Sequence, residues 1–158
     1  MSNVLIGIIG VILFIGLALA GALFLGPRFQ ESKTNSIASA QVSSMKQLSD
    51  AVNMYVVQEG RNDLPQNDGA FVQSLRTSGY LKSTVVDVTG KGVAFWYSPT
   101  APGRRHVLIG AQELAMCNAV NKQAGVTTMP TGNDLFDISG QMGCIKLPGD
   151  NYVIYVAA

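Results

Sequence analysis

Charge is what this sequence is short of. Only 13% of its 158 residues are Asp, Glu, Lys or Arg, and none of these precedes Arg28. Soluble domains carry about 25%. The 11 basic and 10 acidic side chains nearly cancel, to a formal +1, so no net field draws the chain to nucleic acid or to an anionic surface. Histidine occurs once and cysteine twice. Together they fall short of the roughly four ligands a structural zinc site needs, and neither a metal nor a cofactor is expected. The length allows one small domain and an appendage, not two full domains.

What stands in place of charge is a long apolar run, "VLIGIIGVILFIGLALAGALFL" at 4–25. As a helix it would reach about 33 Å, enough for a bilayer core of about 30 Å. It holds fifteen large apolar side chains, and leaving them in water would cost about 20–45 kcal/mol. A small domain has only about 5–15 kcal/mol of stability, so lipid or other protein must cover this segment. Three readings are open. A cleavable secretory signal would suit "ALA" at 18–20, but the run lacks a basic region before it. A plain membrane anchor is the second. The third is a helix that leaves the bilayer and packs on copies of itself. Gly16 and Ala20, and Ala18 and Ala22, stand four apart and would let helices approach closely, with Gly7 and Gly10 adding another small face.

Composition changes abruptly after Pro27. In "SIASAQVSSMKQLSDAVNMY", Ile37, Gln41, Met45, Leu48, Val52 and Tyr55 recur every three or four residues, which predicts an amphipathic helix ending at Gly60. The two segments form one rod, greasy all round and then half-buried. Gly21, Gly26 and Pro27 mark the expected break. The chain thus divides into a hydrophobic transmembrane or core segment, 1–27, and a head, 28–158, that includes the amphipathic half of the rod.

The remainder reads as α+β, with the long helix packed across an antiparallel sheet. A short helix is expected over 70–77, strands over 93–98, 106–109, 142–147 and 152–156, and a helix in "AQELAMCNAVNKQAG" with Leu114, Cys117 and Val120 on one face. Chemistry is scarce. "TGKG" at 89–92 lacks the spacing and ending of a phosphate loop and reads as a hairpin turn. His106 has no second histidine for a proton relay. Asp134, Asp137 and Asp150 are spaced like loop acids, either solvated or around a calcium ion. Arg104 and Arg105 read as an exposed turn. No catalytic residue is expected. The even cysteine count, in a chain whose apolar head implies export, reads as a disulfide between Cys117 and Cys144.

In their order and spacing these parts resemble the type IV pilin family, most closely the type IVb branch of toxin-coregulated and bundle-forming pilins. The resemblance rests on the apolar run, on "SIASAQVSSMKQLSDAVNMY", on "ELAMCNAVNKQAG" around the first cysteine and on "GCIKLPGDNYVIYV" around the second. It covers the whole architecture and implies a precursor held in the inner membrane, then extracted by an assembly machinery into an extracellular helical filament of identical subunits. Val4, Leu5, Ile8, Ile9, Ile12, Phe14, Gly16, Ala20 and Phe24 would lie in the filament core. The resemblance further implies a modified, methylated N-terminal residue, here Met1, and a first helix that melts on assembly. One position departs from the family pattern: an acid is expected fifth in the mature chain, and Leu5 stands there, with no acid before Glu31. Minor pilins, secretion pseudopilins and a monomeric membrane-anchored periplasmic binding domain are the alternatives.

Overall fold

A computed structural model of the chain describes residues 2–60, 69–82, 92–97, 105–111, 113–132, 138 and 140–158. Helix α1 spans Ser2–Glu59, α2 Gly69–Thr77 and α3 Leu114–Ala124; strands β1 to β4 are Val93–Tyr97, Arg105–Ala111, Met142–Leu147 and Asn151–Ala157. Two compact units result, Met1–Thr34 and Asn35–Ala158. The fold is α+β, as the sequence implied.

The first unit is helix alone. Contrary to the expected break, α1 runs through Gly21, Gly26 and Pro27 without interruption in the single chain. Pro27 has no amide hydrogen, so one rung of the ladder is missing. The flanking Leu and Ala residues are strong helix formers, and where no water competes each backbone group needs an internal partner. One lost rung is outweighed by the continuity on both sides.

The second unit contains the core. The sheet order is β1-β2-β4-β3, antiparallel throughout. Alternation along the strands separates two faces. Val107, Ile109, Cys144, Ile154 and Val156 meet Ala38, Val42, Met45, Leu48 and Val52 of α1 in one cluster. Leu108, Ile145 and Tyr155 form a second cluster with Ile138. The α1 stripe is rotated slightly from the expected one: Ala38 is fully buried while Ile37 is 37% exposed. Helix α3 lies against α1 at that level, where Gln123 Nε2 donates to Ser39 Oγ at 2.9 Å. Gln41 is buried in the stripe as expected, and Ser49, also buried, donates from Oγ to the Ala157 carbonyl at 2.6 Å.

At its C-terminal end α1 stops at Gly60, whose φ of 63° suits glycine. Tyr55 there stacks edge-on against Phe71 of α2 and against Tyr80, with centroids 5.3 and 5.7 Å away. Helix α3 ends at Gly125 in the left-handed conformation, φ 73°, as its sequence predicted. Its buried face differs from the expected one. Cys117 and Val120 are buried, but Leu114, in the first turn, is exposed, and Met116, Ala119 and Asn121 complete the inner face.

Gly143 has a packing reason that the sequence did not show. A Cβ placed there would stand 2.7 Å from the Tyr155 Oη and 3.0 Å from Cζ. Tyr155, opposite Gly143 in the β3–β4 register, lays its ring over the glycine. We therefore expect Gly143→Ala to destabilise the protein by about 1–3 kcal/mol, the usual cost of overpacking. Tyr155→Phe in the same chain should recover part of the loss, because it removes the nearest atom. Denaturant unfolding of the four proteins of this cycle checks it; additive effects would show that the two residues do not clash.

Candidate functional site

Two features stand out from the packed head: an uncovered apolar helix surface, and a doubly tied helix at the sheet edge. The first lies in the N-terminal unit. Fourteen large apolar side chains between Val4 and Phe24 are exposed, from 51% at Ile9 to 80% at Phe24. Of the residues expected in a filament core, Val4, Leu5, Ile8, Ile9, Ile12, Phe14 and Phe24 are all among them. They lie on every side of the helix, so no single face binds a partner within the chain. Among the described residues α1 is the one helix long and apolar enough to cross a membrane. Cβ atoms built at Gly7, Gly10, Gly16, Gly21 and Gly26 meet nothing within 4 Å. No contact inside the chain requires glycine at these positions. Their effect is to leave shallow places on the helix surface, which suit close approach of another helix. Ala20, one turn beyond Gly16, is exposed as well.

The second feature centres on Cys144. The expected disulfide is present: Cys117 and Cys144 are bonded, with Cα atoms 5.3 Å apart across a sequence separation of 27. One turn beyond Cys117, Asn121 donates from Nδ2 to the Cys144 carbonyl at 2.9 Å and accepts from the Cys144 amide at 2.7 Å. Helix α3 thus holds one residue of β3 twice, through its side chain and through its backbone. The side-chain amide fills the place of a neighbouring strand on the sheet edge. Sequence reasoning missed Asn121. The available signal was its place four residues after Cys117, on the same helix face.

The remaining candidates disperse. His106 is buried in β2, edge-on to Tyr155 with centroids 5.9 Å apart, and its Nε2 stands 3.4 Å from the Gly140 carbonyl. Burial pushes the Tyr155 hydroxyl above its ordinary pKa. Arg105, expected in an exposed turn, is half-buried in β2 because its guanidinium reaches Asn53 Oδ1 at 3.3 Å. Asp150 pairs with Lys146 at 2.7 Å across the β3–β4 turn. Hydrogen bonding and charge together hold Asp150 below the usual carboxylate range and raise Lys146. The carboxylate's share is therefore lost as pH falls through its lowered pKa, and the ammonium's as pH rises through its raised one. Both groups are exposed, and the pair is a local latch. Arg104, Asp134, Asp137 and all of "TGKG" but Gly92 lie outside the described residues. Among the described residues no three His, Cys, Asp or Glu side chains gather as metal ligands.

In comparison with known proteins, the chain matches no family model, no curated protein and no solved structure.

Removing Asn121 would leave the Cys144 N–H and C=O unpaired at a buried edge. Asn121→Ala should lower the unfolding free energy by about 1–3 kcal/mol, measured by denaturant titration with the disulfide intact. Cys144→Ser should cost about 3–4 kcal/mol through the opened loop. An Asn121→Ala protein as stable as the parent would show that water replaces the amide at no cost.

Proposed function

We propose that this protein is the structural subunit of a type IV pilus, of the IVb kind, that forms an extracellular helical filament through the apolar half of α1. The observation that carries the proposal is the exposure of residues 4–24 on all sides, with glycines that no contact in the chain demands. A membrane anchor alone needs apolarity and length. A helix that exchanges lipid for copies of itself also needs surfaces on which backbones can approach, and Gly16 with Ala20 provides one. The exchange costs little hydrophobic free energy, since the side chains remain out of water in both surroundings. The disulfide-tied head supports the same reading, for it suits an oxidising compartment.

In this reading the subunit begins in the inner membrane, is extracted by a pilus assembly machinery, and ends in a surface filament of identical subunits. Leu5 lies among exposed apolar neighbours, which in a filament would pack against the same segments of other subunits. Gly16, Gly21, Gly26 and Pro27 mark where α1 opens when it is drawn into the filament, because they are its weakest helix formers. An unbroken α1 in filament density would overturn that part.

Leu13→Lys provides the main test. A lysine at the middle of the run costs about 2.5–3.5 kcal/mol to insert in a membrane, and in a dry core it would be repeated in every subunit. We expect the variant chain to accumulate in cells with its disulfide formed, and sheared surface material to contain no filaments under the electron microscope. Deleting residues 1–28 should abolish filaments too, while leaving a soluble chain. Native-looking fibres from either protein would reduce the apolar segment to an anchor and sink the proposal.

A further inference from the structure

The outer edge of β3 is closed in two places and open in one. In the antiparallel β3–β4 ladder the Ala157 amide donates to the Gln141 carbonyl at 2.7 Å. Met142 and Val156 are therefore a non-hydrogen-bonded pair, and the N–H and C=O of Met142, Cys144 and Lys146 all point away from β4. At Lys146 these groups are taken by the Pro130 carbonyl and the Gly132 amide, each at 3.0 Å. At Cys144 they are taken by the Asn121 side chain. At Met142 neither has a partner among the described residues. Met142 is among the residues lining a cavity of about 610 Å³ within the head, which Lys46, Ser49 and Asp50 of α1 also line. Lys46 and Asp50, one turn apart on that helix, line the cavity, and neither forms an ion pair among the described residues.

The residues that line the cavity bring to it an open backbone donor and acceptor, an ammonium and a carboxylate. Because the next edge position is already filled by Asn121, only one residue's length of backbone can pair with β3. A through-going strand has no room. We propose that the cavity binds one free α-amino acid as its zwitterion. Its carboxylate accepts from the Met142 N–H and faces Lys46; its ammonium donates to the Met142 carbonyl and faces Asp50. Asn121 demonstrates the same two-bond pairing two residues along the edge. Gln123, which donates from Nε2 to Ser39 Oγ at 2.9 Å, leaves its amide oxygen for a polar ligand side chain. The proposal is independent of filament formation, and it can fail or succeed with that reading intact.

The test uses the full chain in detergent micelles with ¹⁵N-labelled methionine. Only six methionines occur, so the Met142 amide can be assigned by its loss in Met142→Leu. L-Glutamine should shift that amide saturably. Lys46→Gln and Asp50→Asn, both at exposed positions, should each weaken binding about five- to tenfold. N-acetyl-L-glutaminamide, which lacks both charges, and triglycine, whose charges stand two residues further apart, should leave the signal in place. A Met142 amide unmoved by L-glutamine would overturn the proposal. So would an equal response to the blocked compound, or a response to triglycine in place of the amino acid, which would assign the cavity to a peptide end.

Discussion

Fourteen large apolar side chains on one end of a single helix are covered by nothing among the described residues of their own chain. The rest of the molecule is organised around that constraint. Leaving them in water would cost more than the stability of a head this size, and the head's own core is built without them. The change at Pro27 serves this need. Apolar residues before it surround the helix; beyond Thr34 a stripe of them, from Ala38 to Val52, is buried in the head's core, while Met54 and Val57 stay exposed. One helix therefore belongs to two solvents, and the boundary between them is written in composition rather than in backbone geometry, since α1 continues through Gly26 and Pro27.

A head built on half a helix and four short strands has a modest core, and it is reinforced at its margin. The Cys117–Cys144 bond and the Asn121 clasp both act on one residue of the outermost strand. The disulfide restricts the unfolded chain, whereas the amide satisfies two backbone groups in the folded one. They stabilise through different states, so neither replaces the other. Together they fix α3 against β3.

Most of the architecture was legible in the sequence because it follows from local pattern. The spacing from Gln41 to Tyr55 gave the amphipathic helix, Gly60 and Gly125 gave its stop and that of α3, and alternation gave the strands within a residue or two. The disulfide followed from an even cysteine count in a chain with an apolar head. What escaped was set by distant partners. Which of Ile37 and Ala38 is buried depends on how the rest of the head packs on α1. Gly143 depends on a tyrosine twelve positions away, and Asn121 on a strand backbone it meets only after folding. That α1 runs unbroken through Pro27 in the single chain has another reason. Propensity weighs each residue singly, while a ladder with strong formers on both sides tolerates one missing bond.

The edge of β3 shows how these levels combine. An edge strand invites pairing with other chains, and proteins restrain it by covering or filling the free groups. Here one filler is backbone, at Lys146, and the next is a side chain held in place by a disulfide one helical turn away. Both act on the C-terminal part of the strand. At Met142 no such filler is present among the described residues; the residue lines a cavity to which α1 contributes Lys46 and Asp50. Burying that last pair of backbone groups under α1 would require an apolar wall and would leave them unsatisfied. Lys46 and Asp50 instead give the cavity a charged lining, which favours a small polar molecule over an apolar strand. The same residues that protect the edge from another chain thus define what chemistry can approach it.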